Sequence, residues 1–391
     1  MMEDYIYKIN HLNVNQSKTE FSLCHENGIK TLDMTNFQEK QTSSSNLVVL
    51  GDISLSEFLD EENIIMFVGS EKNKDYPNNK LCFFDLEKKE EIFSKTFEHP
   101  ITKVKYLNNF IFICFGKELK IFFYNKEKKD LIEKEQLQLD ESFGNLFEAW
   151  DEKDKNITKK IFLAYPYKKE LTILFYEVDE WKLGTKITKP SPVYKVQNLF
   201  YIRKLNQLCI SDEKAIYIYG IDVDKYLNDA KDGYINLCLR RGSNPGFITS
   251  ITLLNDNFLA INNLNRTIHI FDLDINNNAF SFSNIIYGLV SGIKEIYPCL
   301  RIHFNDLISG NEGQFHKNDF EKKGALLSSE DNGTDLSIIS YNGYAYKVRI
   351  NFEQKKYEVL SKVLFTENKK NLKAISLFSS VTENDLDNKN N

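Results

Sequence analysis

The residues best equipped for chemistry are Leu239-Arg240-Arg241-Gly242, followed by Ser243. They set two guanidinium groups side by side at a Gly-containing turn between two strand-like segments. Adjacent residues of a strand point to opposite sides, so the two arginines can serve two separate pockets. Each guanidinium is a planar fork of donors suited to phosphate oxygens. An Arg-Arg pair in a surface turn is usually just solvated charge, and the tetrapeptide alone does not choose between these readings.

Catalysis has little to work with. The chain contains no G-x-G-x-x-G, P-loop, G-x-S-x-G or H-E-x-x-H pattern. Histidines at positions 11, 25, 99, 269, 303 and 316 show no metal spacing. Acidic clusters such as Asp151-Glu152-Lys153-Asp154 alternate with lysine and read as solvated surface. The six cysteines include no C-x-x-C pair and mostly sit in apolar runs, as in Phe112-Ile113-Cys114-Phe115, so buried free thiols in a reducing compartment are expected. No enzymatic activity, metal or cofactor is expected. The formal net charge of −6 opposes nucleic acid, so any anion must be bound by a local basic pocket. The first ten residues lack the apolar block of a signal peptide, and no segment reads as a spanning helix. A soluble, cytoplasmic chain is the expectation.

What must position the arginines is a recurring unit: a polar turn, four or five apolar or aromatic residues, and often Asp or Asn. It reads at Gly28–Asp33, Lys80–Asp85, Leu119–Asn125, Leu171–Tyr176, Ala215–Tyr219, Thr267–Asp272 and Gly343–Val348. The 29 Phe and 20 Tyr favour strands. Copies recur about every 40 to 75 residues, at or above the length of four-stranded propeller blades. A small sheet cannot bury both faces alone, and radial stacking buries them against neighbours. The expected fold is therefore all-β, a seven-bladed β-propeller of four-stranded blades occupying residues 1–365, although the Trp-Asp ending of typical WD repeats is absent. Segments 38–47, 126–145, 151–160 and 311–323 read as loops, 366–391 as a disordered tail, and only 282–293 and 223–230 as helical.

With these residues in order, the chain resembles the PROPPIN family, the phosphoinositide-binding propellers of autophagy. Leu12-Asn13-Val14-Asn15-Gln16 with Phe21-Ser22-Leu23 is similar to the family's first-blade segment. Phe67-Val68-Gly69 with Tyr76-Pro77-Asn78-Asn79-Lys80-Leu81 is similar to the second-blade segment. Val104 to Ile121 and Leu163-Ala164-Tyr165-Pro166 follow as the third and fourth. Leu239-Arg240-Arg241-Gly242 matches the family's L/F-R-R-G, and Phe258-Leu259-Ala260 and Thr267-Ile268-His269-Ile270-Phe271 follow at the family spacing.

The resemblance implies binding of phosphatidylinositol 3-phosphate, with the 3,5-bisphosphate as a second ligand, at two rim pockets flanking the arginine pair. It places Arg240 in the pocket towards the preceding blade, and Arg241 in the other with Gly242, Ser243, Thr267 and His269. Hydroxyls and an imidazole N–H complete the donors around a phosphate. For His269 taken alone, a strand histidine satisfied within the sheet is the competing reading. Asn262 and Asn263 stand where the family has small hydroxyl residues, and Asn265-Arg266 where it has Lys-Gly. In the preceding blade Ser211 matches, but Lys214-Ala215 and Tyr217 replace the expected Gly-Thr and Arg. The second pocket is thus expected intact and the first weakened.

Residues 275–293 contain no charge in a chain that is 27% charged, and they follow the sixth-blade strand, where the family carries a membrane-inserting loop. Phe280, Phe282, Ile285, Ile286, Tyr287 and Leu289 are the expected inserting residues; blade strand and core filler is the competing assignment. Tyr76, Pro77, Asn78 and Asn79 occupy the position from which the family engages an autophagy lipid-transfer protein. The implied protein is a monomer in solution that binds peripherally to autophagosome precursors, endosomes or vacuoles. A generic WD-type scaffold without lipid binding is the alternative function.

Overall fold

The computed structural model describes residues 5–6, 8–38, 47–59, 63–139, 146–151, 160–167, 170–177, 180–188, 196, 198–202, 205, 207–211, 215–220, 235–240, 247–255, 257–264, 267–273, 294–304, 307, 325–329, 333–341 and 343–367. Seven antiparallel sheets follow one another along the chain, their strands ordered as in the sequence, and form a β-propeller. The inner strands of blades one to seven are Ile9–Val14, Ile53–Phe58, Lys103–Leu107, Glu148–Asp151, Asn198–Ile202, Ile248–Leu254 and Ala325–Ser329. Each recurring unit of the sequence is the third strand of its blade, from Gly28–Asp33 in blade one to Tyr344–Asn351 in blade seven.

The Asp or Asn that closes the unit has a local cause. Asp85, Asn125 and Asn351 accept the backbone N–H of Lys88, Lys128 and Gln354 on their side-chain oxygens, and so start the turn into the outer strand. Lys89, Lys129 and Lys355 finish that turn in the left-handed region, with φ of 58°, 49° and 52°.

Among the described residues the buried apolar side chains form seven clusters, each drawn from two successive blades. The core is therefore in the seams, as the stacking argument requires. Nearer the axis the seams are polar. Asn10 Nδ2 donates to Asp52 Oδ1 at 2.6 Å and Asn13 Nδ2 to Glu57 Oε2 at 2.6 Å, joining blades one and two. Glu57 Oε1 accepts the Tyr106 N–H of blade three at 3.3 Å. Lys105 pairs with Glu148 at 2.8 Å between blades three and four. Glu57 is half-buried with little water to solvate a charge, and desolvation raises its pKa from 4.5 to about 7 against the lowering pull of the Tyr106 N–H, Lys105, Asn13 and Lys103.

Blades seven and one share no sheet. Their seam is closed by the cluster of Phe21, Phe37, Ile339 and Phe365, and by Tyr5–Ile6 pairing with Thr366–Glu367. That pair carries the folded chain two residues beyond the expected boundary at 365. The expected loop at 126–145 is also corrected: Asp130–Gln138 is the outer strand of blade three. Its exposed edge alternates charged residues, which blunt pairing with other chains but hide the strand in the sequence. Blade five departs from four strands, because Lys294–Ile296 joins its outer edge in parallel with Leu237–Leu239. The expected helical stretches at 223–230 and 282–293 lie outside the described residues.

Candidate anion-binding site

Blade five ends in the outer strand Ile235–Arg240. Leu237 and Leu239 pack towards blade six, whereas Cys238 packs towards blade four with Ala215 and Tyr217. Arg240 lies opposite Ala215, so alternation turns it to the blade-four side, where it is half-buried. Arg241, Gly242 and Ser243 lie outside the described residues. The chain is described again at the exposed Phe247, whose carbonyl accepts the Leu264 N–H at 2.9 Å. Phe247 is thereby fixed beside Leu264, three residues before Thr267.

In blade six, Leu259, Ile261 and Phe271 face blade five, while Ala260, Ile268, Ile270 and Ile302 face blade seven. Alternation then separates the two asparagines. Asn263 turns towards blade five with Thr267 and His269. Asn262 turns to blade seven, and its Nδ2 donates to Thr249 Oγ1 at 2.6 Å and to the Ala325 carbonyl at 3.1 Å. Asn262 is a seam residue. Ser211 shares the blade-six side of blade five with Cys209, across the sheet from Arg240; its buried hydroxyl finds no partner among the described residues. The sequence-derived residues thus fall on three seams: Arg240 on four–five, Ser211, Asn263, Thr267 and His269 on five–six, and Asn262 on six–seven.

His269 is buried between Ile261 on one neighbouring strand and Arg301 on the other. Thr267 lies opposite His303, with Oγ1 and Nδ1 3.2 Å apart. Arg301 and His303 belong to the outer strand Leu300–His303 and are exposed. Sequence reasoning passed over both. Their only signal was the alternation of Leu300 and Ile302 with two cationic residue types.

Phe280, Phe282, Ile285, Ile286, Tyr287 and Leu289 lie outside the described residues. The segment that carries them leaves blade six at Leu273 and returns at Lys294 on the edge of blade five. On blade two, residues 76–79 form a braced loop. Asn73 donates to the Leu50 and Asp52 carbonyls and accepts the Asp75 and Tyr76 N–H groups. Tyr76 packs edge-on against Phe67 at 5.0 Å, and Asn79 Nδ2 donates to the Phe97 carbonyl at 2.8 Å. Among the described residues no group of three or more His, Cys, Asp or Glu could hold a metal ion, and no helix is long and apolar enough to cross a membrane.

No family model matches the chain. Over 269 residues, 66% of this chain and 68% of the relative, it is 25% identical to SVP1-like protein 2 of Pichia angusta. Kluyveromyces lactis Hsv2 with a complete loop 6CD superposes with a TM-score of 0.65 over 93% of this chain and 99% of that one, at 14% identity. KlAtg21 in complex with the coiled coil of AgAtg16 superposes at 0.62 over 92% and 99%, at 17% identity. The resemblance is to the PROPPINs. At these identities the solved PROPPIN structures show a shared fold, and the curated relative carries the likeness into sequence.

Proposed function

We propose that this chain is a PROPPIN-type phosphoinositide reader that docks peripherally on autophagosome precursor, endosomal or vacuolar membranes. Its ligand is phosphatidylinositol 3-phosphate, with the 3,5-bisphosphate as the second candidate. One observation carries the reading: Arg240 turns to one side of blade five while Asn263, Thr267 and His269 line the other, with Arg241 and Ser243 between them in the chain. Hydrogen bonds to charged groups contribute about 1.5 to 3 kcal/mol each, so a few donors suffice for a headgroup.

The pocket on the Arg240 side is the weaker. Ala215 lies opposite Arg240, and Tyr217 is buried in the core between blades four and five, so neither brings the donor that the family pattern has there. Arg241→Ala therefore weakens retention on vesicles containing phosphatidylinositol 3-phosphate more than Arg240→Ala does, as measured by co-sedimentation. Equal losses refute this ranking of the pockets. Marginal anchors become stable in pairs, so headgroup capture together with the apolar 275–293 segment forms a two-signal membrane attachment. The KlAtg21 complex with a coiled coil favours a second role, in which a propeller of this type also holds a protein partner. Failure of the wild-type chain to bind vesicles bearing any phosphoinositide leaves that scaffold role alone.

A further inference from the structure

We propose that Arg301 and His303, on the outer strand of blade six, belong to the phosphate site that Thr267 and His269 begin; the inference rests on the phosphoinositide reading above. Register brings these residues together across 28 residues of chain between Asp272 and Arg301. Thr267 pairs with His303 and His269 with Arg301, so the four side chains share one face of an antiparallel strand pair. That face is the one turned towards blade five, because Ile268, Ile270 and Ile302 are packed on the blade-seven side.

The group has the composition of an anion site. It contains a hydroxyl, two imidazoles and a guanidinium, and Asn263 flanks the same turn with an amide. None of the paired positions is a carboxylate. Among the described residues, no carboxylate pairs with the Arg301 guanidinium, and His303 is oriented by its 3.2 Å contact with Thr267 through Nδ1, leaving Nε2 as its other polar atom. An exposed arginine on an outer strand can serve only to blunt the edge. Here it stands beside a buried histidine in the row below a Thr–His pair, an arrangement that edge protection does not require. The guanidinium fork matches two oxygens of one phosphate, while Thr267 and the imidazoles address the third.

The test compares wild type, Arg301→Ala, Arg301→Lys and His303→Ala on vesicles with and without phosphatidylinositol 3-phosphate. Soluble inositol 1,3-bisphosphate and inorganic phosphate serve as competitors. Thermal melting of each variant establishes that it is folded. Arg301→Ala is expected to bind the lipid vesicles about tenfold more weakly, with Arg301→Lys falling between it and wild type because charge survives without the fork. His303→Ala is expected to lose several-fold. Competition by inositol 1,3-bisphosphate well below the concentration needed for inorganic phosphate identifies a headgroup site; equal competition identifies a site for free phosphate and overturns the lipid assignment. Wild-type binding by Arg301→Ala and His303→Ala overturns the inference while the phosphoinositide reading stands. Absence of wild-type binding to any phosphoinositide vesicle overturns both.

Discussion

Glu57→Gln should reverse its effect on stability as pH rises. In the folded chain the Glu57 carboxyl sits between the inner strands of blades one, two and three, with its pKa raised from 4.5 to about 7 by loss of water. A carboxyl whose folded value is raised binds its proton more tightly in the native state. Its favourable contribution is complete below about pH 4.5 and disappears as pH rises through 7. A shift of this size corresponds to about 3 kcal/mol, and the residual water contact of the half-buried side chain reduces it to about 2. Gln carries no charge, but its amide nitrogen cannot accept the Asn13 Nδ2 donor, which costs about 1 kcal/mol. At pH 5 the variant should be less stable than wild type by about 1 kcal/mol, and at pH 8.5 more stable by about 1 kcal/mol. Urea unfolding followed by the fluorescence of Trp150 and Trp181 at several pH values measures the difference directly. Parallel stability curves for the two proteins would refute the assignment of a half-buried carboxyl with a raised pKa.

Phe280→Asp combined with Phe282→Asp should release the protein from phosphoinositide vesicles with an unchanged melting temperature, since each inserted Phe contributes about 1.5 to 3 kcal/mol; unchanged co-sedimentation counts against the segment as a membrane contact. Phe365→Ala should destabilise the fold by about 3 kcal/mol, because Phe365 is buried against Phe21 at 5.8 Å in the seam where blade seven meets blade one; a loss below about 1 kcal/mol in urea unfolding would show that closure does not depend on it. At Gly69 an added Cβ would lie 1.6 Å from the Tyr76 carbonyl oxygen, so Gly69→Ala should displace the braced loop of blade two. Protease sensitivity confined to residues 70–79 is the expected signature, and an unchanged digestion pattern the refuting one.

The third strands were legible because apolar alternation and a terminal Asx cap coincide within six residues, as in Lys80–Asp85. Outer strands were not. Asp130–Gln138 is mostly exposed and charged, so it carries the composition of a loop while its hydrogen bonds come from Glu118–Asn125. Arg240 could be found because a motif names it, and strand parity then gave its direction. Asn262 and Asn263 looked equivalent in sequence; which one faces blade seven depends on the pleat phase set by Leu259 and Ala260. Arg301 and His303 escaped notice because their link to Thr267 and His269 is a register, which local spacing does not encode.

The short parallel strand Lys294–Ile296 gives the uncharged segment before it two separate moorings. One end continues from the third strand of blade six; the other is stitched to the rim of blade five, with Ile296 sunk between the two sheets. The described residues on either side of that segment are thus held by different sheets, Leu273 following blade six and Ile296 against blade five, and both pack in the apolar seam between them.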